Sequence, residues 1–424
     1  MRYCAVTVKI SEMIFSVVLA LLISFQIAPS DTTDLNSLSV DKALEIAYQH
    51  NPKINQLKNR IVAQRQQQPL SLGISNPEVT YAKEGIGQRS FAEQRWVVSQ
   101  SLDFPLTGYY NFKSEDANTS AMELELQAMR LQLKADVKSA YTQLAYAIES
   151  SHLARERVDL FKSMRNAARS RADLGESSEI DAMQADLQLT EAQNSMQKSY
   201  QDIMDARYNL FETIGLDEEE QTYEISFPDT LQYVAVNINQ DEVLQQLQQH
   251  PQLQKISKDQ LAASYQTKVA KSGYLPDINL KYYRQDFGDG FDFNAFEVGV
   301  SIPLWFGINQ SNKVQQSKAQ YRVQEWRFQE EQLSIKKQAE QAWHGYETTQ
   351  ANIKRFRESI QEQSKELVTM TQKGYRLGEL DLLTLLEAQR TYLRTQQIYY
   401  ETLRDYYLRI IELEQYLQSD IIFE

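Results

Sequence analysis

The chain contains itself twice, and that restricts its fold more than any other feature. Asp41 to Pro52 reads DKALEIAYQHNP and Asp241 to Pro251 reads DEVLQQLQQHP, about 200 positions apart, with the same His before the same Pro once Asn51 is skipped. The match continues downstream. Asn76-Pro77-Glu78-Val79-Thr80-Tyr81 faces Leu275-Pro276-Asp277-Ile278-Asn279-Leu280, and Ser99 to Gly108 faces Val300 to Gly307. Leu174-Gly175-Glu176 is echoed by Leu377-Gly378-Glu379. Matches in the same order along both halves imply two copies of one unit.

Each copy opens with a short helix and then changes period. Ile278, Leu280 and Tyr282 alternate with Asn279 and Lys281, and Phe296, Val298, Val300 and Ile302 alternate with Glu297, Gly299 and Ser301. A period of two predicts strands with one apolar face, joined by the Gly- and Asp-rich stretch 286–294. The first copy offers Val79 and Tyr81, then Trp96, Val98, Leu102 and Phe104, joined across 85–91. Strands of about 9–11 residues suit a tilted bilayer crossing. Two hairpins cannot close a barrel, and open edges are not tolerated in lipid, so subunits are expected to pool their strands.

After each hairpin runs a proline-free stretch, 110–213 and 308–418, with Gly only at Gly175 in the first and at Gly345, Gly374 and Gly378 in the second. These read as long helices, each folded back at its Leu-Gly step. Leu382, Leu385, Gln389, Tyr392, Gln396, Tyr399, Leu403, Tyr406, Ile410, Leu413 and Leu417 keep a three-four spacing, a coiled-coil seam, with Leu386, Leu393, Tyr400 and Tyr407 as a second stripe beside it. In the first copy the corresponding seam is read as Leu187, Thr190, Asn194, Gln197, Gln201, Met204, Tyr208 and Phe211, rich in amides.

The remaining composition is restrictive. Arg2 and Lys9 precede an apolar run, Ile14 to Phe25, too short to span a bilayer and suited to a secretory signal, with the mature start expected near residue 29. The one cysteine, Cys4, lies in that leader, so the mature chain is expected to have no thiol chemistry and no disulfide. A net charge of −13 argues against a nucleic-acid partner. The four histidines, His50, His152, His250 and His344, are dispersed, and no HExxH, phosphate loop or GxSxG occurs, so no catalytic, metal or cofactor site is expected. His50 and His250, each near a Pro, are read as equivalent helix-end residues.

The opening Leu38-Ser39-Val40-Asp41-Lys42-Ala43-Leu44 with Asn51-Pro52, the strand-ending turns that run into Phe104-Pro105 and through Ser301-Ile302-Pro303, and the paired Leu-Gly tips together resemble the TolC-like outer-membrane efflux proteins. Asn76-Pro77-Glu78 and the compact length are similar to the subgroup serving heavy-metal cation pumps. The resemblance implies a mainly α fold with a small β part: a homotrimer whose strands, four per protomer, close a 12-stranded transmembrane β-barrel in outer-membrane lipid. A trimeric α-helical coiled-coil barrel would continue it across the periplasm of a Gram-negative bacterium. Also implied are a periplasmic adaptor and an inner-membrane pump of the RND type, with the adaptor meeting the tips at Leu174, Gly175, Glu176, Leu377, Gly378 and Glu379. The aperture or gate is implied at Tyr375, Thr384 and Glu387. Glu387 keeps a carboxylate where Thr384 does not, and three copies of Glu387 around an axis would favour cations.

The expected organisation is a signal peptide (1–29), a first repeat (30–215; hairpin about 76–105, helical hairpin about 110–213 with its tip near 175) and a linker (216–239). A second repeat (240–418; hairpin about 275–303, helical hairpin about 308–418 with its tip near 378) and a tail (419–424) follow. The leading functional expectation is a passive exit duct exporting small molecules or metal cations. An outer-membrane-anchored structural or adhesive coiled-coil protein is the alternative, and an exported enzyme is a third reading.

Overall fold

Capping side chains start the first helices. The hydroxyl of Ser39 accepts from Lys42 N (3.3 Å) and opens α1, Val40–His50; Oδ1 of Asn51 accepts from Lys53 N (2.9 Å) and opens α2, Pro52–Leu70, with Pro52 in the first turn. In the second half Asn239 caps α5, Gln240–Gln246, and Nδ1 of His250 accepts from Gln252 N (3.3 Å) to open α6, Pro251–Ser272. The equivalent capping residues are therefore Asn51 and His250. His50 is exposed at the end of α1, so the pairing of the two histidines is corrected by one position.

The computed structural model describes residues 38–85, 93–217, 231–288 and 290–423. The expected signal segment 1–29, most of the first hairpin turn, the linker residues 218–230, Asp289 and Glu424 lie outside the described residues. The described elements from Ser39 onward belong to one compact unit formed by residues 39–221 and 227–424.

Four strands, β1 (Glu78–Glu84), β2 (Glu93–Leu102), β3 (Asp277–Asp286) and β4 (Asp292–Ser301), form one antiparallel sheet in the order β1-β2-β3-β4. The two hairpins join through β2 and β3, leaving β1 and β4 as edges. Register aligns the apolar side chains in rows. Val79, Val98, Tyr282 and Phe296 stand abreast, as do Leu280 and Val298 beside the polar Gln100, and Leu102, Ile278 and Val300. Most of this face is exposed. The opposite face carries the row Glu78, Ser99, Lys281 and Glu297, with Lys281 Nζ 3.5 Å from Glu297 Oε1. An apolar and a polar face on the same strands is the pattern of a membrane barrel wall.

Below the sheet run α3 (Pro105–Asp173), α4 (Glu179–Ile214), α7 (Asn309–Arg355), a π-helical turn (Phe356–Ile360), α8 (Gln361–Arg376) and α9 (Leu382–Leu417). With 69 residues, α3 rises about 100 Å. Near the sheet α3 meets α2 and α6: Thr107 Oγ1 and Ser272 Oγ are 2.7 Å apart, and Ser114 Oγ donates to Ala262 O (3.2 Å). Gly108 lets the chain pass closely there, because a Cβ at that position would lie 2.6 Å from Leu72 O.

One buried cluster gathers Ile335, Ala339, Ala342, Tyr346, Leu403, Tyr406, Ile410 and Leu413 from α7 and α9 with Leu231 and Ile238 of the irregular segment before α5. Tyrosines pin that segment. Tyr406 donates to Val234 O (3.0 Å), Tyr407 to Gln232 O (2.8 Å) and Tyr346 to Val236 O (2.5 Å). A second cluster, nearer the tips, joins Phe161 and Met164 of α3, Ala185 and Leu189 of α4, and Tyr375, Leu382, Leu385 and Leu386 of α8 and α9. The α9 seam is buried along its length except at Tyr399, which is half-buried.

The α4 stripe read from the sequence does not pack within the single chain. Leu187 is 68% exposed, Thr190, Asn194, Gln197, Gln201, Met204 and Tyr208 are not buried either, and of that stripe Phe211 alone is buried. The face packed inward is Ala185, Leu189, Ala192, Ser199 and Leu210. Small residues let α3 and α4 approach closely, as the Ser199–Ser151 hydroxyl contact of 3.1 Å shows, while the amides keep their hydration.

Candidate aperture at the helical tips

Both helical reversals use the same device. Gly175 and Gly378 adopt φ of +76° and +77°, a left-handed conformation that side-chain-bearing residues resist. Glu176 N donates to Arg171 O (2.8 Å) and Glu379 N to Gly374 O (2.9 Å), closing the last turn of each incoming helix. The outgoing helices are capped in turn. Ser178 and Asp181 form a reciprocal capping box on α4, and Asp381 Oδ1 accepts from Thr384 N (2.8 Å) on α9. Hydrogen bonds from Thr384 hold the Asp381 carboxyl below its usual range.

Four residues before each glycine the tips diverge, with Arg171 in the first and Gly374 in the second. Arg171 crosses to the second tip. Its guanidinium carbon lies 5.0 Å from the Tyr375 ring centroid, and its Nη1 donates to Tyr375 O (3.0 Å). Its Nε is 3.8 Å from Glu176 Oε2. Gly374 makes room on its side of the loop, since a Cβ there would meet Leu380 Cδ1 at 2.6 Å. Tyr375 is consequently 2% exposed, and its hydroxyl has no hydrogen-bond partner among the described residues. Burial pushes the phenol pKa up against the opposing charge of Arg171.

Thr384 and Glu387 share an open face of α9, three residues apart, with Glu387 Oε1 3.5 Å from Arg390 Nη1. The structure brings these two together and turns Tyr375 into the packing between the tips. At the tips themselves, Leu174, Gly175, Glu176, Leu377, Gly378 and Glu379 are all exposed. Sequence reasoning misses Arg171; the one available sign is an arginine standing where the matching tip has glycine.

Further along α9, a cavity of about 220 Å³ opens against α3 and α8, lined by Glu149, His152, Glu156, Lys365, Tyr392 and Tyr400, among others. Tyr392 donates to Glu156 Oε1 (2.9 Å). Burial raises the pKa of Glu149, although His152 and Tyr400 oppose it. Three residues before Tyr392, Gln389 is 1% exposed, and neither of its amide atoms finds a partner among the described residues.

Long paired helices beneath a sheet with one apolar and one polar face are an arrangement that this chain shares with known outer-membrane channels. Residues 243–418 match the family described as outer membrane efflux protein. The chain is 22% identical over 375 residues to outer membrane efflux protein BepC of Brucella suis biovar 1 (strain 1330), covering 84% of this chain and 79% of that protein. Its fold matches the outer-membrane channel OprN with a TM-score of 0.78 at 19% identity, over 89% of each chain. It also matches CusC, described for its folding and transmembrane channel formation, with a TM-score of 0.77 at 16% identity, over 91% of this chain and 93% of that one. The chain thus shares its fold with outer-membrane channels, and its second half matches the outer membrane efflux protein family.

Proposed function

We propose that three copies of this chain close a 12-stranded barrel in the outer membrane, continued by a helical tube into the periplasm, and that the assembly is the passive exit duct of a tripartite efflux system. The observation that carries this reading is the four-stranded sheet, with an exposed, largely apolar face in register across the strands and, among the described residues, unpaired edges at β1 and β4. An open edge in lipid leaves backbone groups unsatisfied, so the edges need partners of the same kind. In this arrangement the exposed tips receive a periplasmic adaptor joined to an inner-membrane pump of the RND type. Thr384 and Glu387 line the aperture from α9, and Tyr375 acts from behind, held by Arg171 so that the two tips of a protomer move as one. Cargo is small molecules or metal cations chosen by the pump.

Single-channel conductance in planar bilayers tests the duct. Wild type is expected to conduct weakly, and Tyr375→Ala combined with Glu387→Ala to conduct more strongly, because the variant loosens the tip and removes the charged face. Absence of both trimer and pore in wild type and variant would overturn the reading.

A further inference from the structure

An apolar collar with a basic underside lies just below the sheet. After β4 the chain turns through Pro303 to Phe306, where Leu304 is 78% and Trp305 73% exposed, and Phe306 packs against Tyr274 at 6.2 Å between ring centroids. Ile302, just past β4, is eight residues from Asn294, whose row across the sheet includes Trp96; this places Ile302 about 26 Å from the Trp96 row along the strand, or roughly 20 Å in height at the usual barrel tilt of about 35–45°. Trp305 lies three residues further on, so Trp96 and Trp305 bracket a band comparable to the lipid-facing band of an outer-membrane barrel, roughly 25 Å tall.

Charge changes sharply at the lower border. Residues 260–276 and 302–324, which carry most of α6 and the start of α7, contain Lys268, Lys271, Lys313, Lys318 and Arg322 and no Asp or Glu, in a chain of net charge −13. Between them and the collar lies a cavity of about 410 Å³ with Leu304, Trp305 and Phe306 on its apolar side and Asn309, Gln310 and Lys313 on its polar side. The one carboxylate on its wall, Asp277, is engaged by the backbone N of Phe104 (3.3 Å). On neighbouring α3, Asp116 pairs with Lys113 at 3.5 Å and Glu115 is bonded by Gln64.

We propose that this cavity is a binding site for an anionic glycerophospholipid of the inner leaflet, its phosphate held by Lys313 and the neighbouring amides and its acyl chains lying along Trp305 and Leu304. The site continues the apolar face of β4 without a break, and its positive underside faces the plane in which anionic headgroups lie. The proposal rests on the outer-membrane reading above. It adds a ligand that fixes the height of the duct in the bilayer.

The test uses the mature chain purified as its trimer, delipidated in neutral detergent and titrated with phosphatidylglycerol or phosphatidylcholine, with bound lipid counted by native mass spectrometry. Wild type is expected to retain phosphatidylglycerol about fivefold more strongly per cationic side chain engaged. Lys313→Gln removes that preference, and Trp305→Ala lowers retention of both lipids. Equal retention of the two lipids by wild type overturns the proposal. So does a Trp305→Ala protein that loses its trimer but keeps the phosphatidylglycerol preference, because the turn would then be a subunit contact. Conductance recorded on the same preparation separates the two readings: wild-type pores without lipid preference defeat only the lipid site, whereas absence of pores defeats the duct.

Discussion

A single histidine makes part of this fold sensitive to pH. Nδ1 of His250 accepts the hydrogen bond that starts α6, so the cap needs the neutral imidazole, and burial lowers the His250 pKa below its ordinary 6.5. The unfolded chain therefore takes up the proton first as pH falls. The contribution is fully present above about pH 6.5 and is lost progressively toward the lower folded-state value. In the first half the same place is held by Asn51, which caps without titrating. His250→Asn is expected to keep the cap, worth about 1 kcal/mol, and to remove this share of acid sensitivity. Thermal midpoints of wild type and variant should converge at pH 8 and separate at pH 5.5, with the variant higher. Equal midpoints at both pH values would show that the cap is not coupled to protonation. The Pro after the histidine is a readable sign of a helix start; which residue does the capping requires the backbone, because Asn51 is an insertion relative to the second copy.

At the level of elements, buried polar contacts join pieces far apart in the chain. Lys138 of α3 is 2% exposed and donates to Glu414 Oε2 (2.7 Å), Asp420 Oδ1 (2.6 Å) and Ile422 O (3.0 Å), using all three ammonium hydrogens. Glu414 Oε1 accepts in turn from Ile421 N and Ile422 N, so the segment after α9 is strapped to α3. Burial works against the charge of Asp420, yet hydrogen bonds from Lys134 and Lys138 outweigh it and hold its carboxyl below the usual range. Replacing Lys138 by Met strands the Glu414 carboxylate in the interior and is expected to cost about 3–5 kcal/mol, whereas Lys138→Met with Glu414→Leu recovers part of that loss. Chemical denaturation of the two variants checks the ordering; equal losses would mean that the charges act separately. No periodic pattern announces such a contact. The α9 seam is legible because large apolar residues recur there at helical spacing. The α4 packing within the chain is hard to read because its packed residues include Ala and Ser, which carry little hydrophobic signal, and Leu187, Met204 and Tyr208 draw attention to a face that does not pack within the single chain. Arg171 and Tyr375 meet across a separation of 204 residues, beyond the reach of any local pattern.

For the whole molecule, the strand pattern and the duplicated motifs are readable from residue types alone, because alternation follows directly from the geometry of an extended chain. The pairing of β2 with β3 is not, since it depends on how the two halves dock through helices α3 and α6. That pairing decides what the assembly must do. With β2 and β3 in the middle, the edges β1 and β4 are three inter-strand steps apart, about 14 Å, well beyond the roughly 7 Å that a disulfide spans. A cysteine on β1 cannot reach one on β4 of its own sheet. The sequence has a single cysteine, Cys4, so in a Cys4→Ser background introduced pairs report without interference. Thr80→Cys combined with single cysteines stepped along β4 from Ala295 to Gly299 should therefore give covalent species only between subunits, at the one register where neighbouring sheets meet. Closure by three predicts bands at two and three chain masses after oxidation and none above. A ladder continuing past three would indicate an open array of sheets, and monomer at every register would mean that the edges are covered by something other than a second copy of the chain.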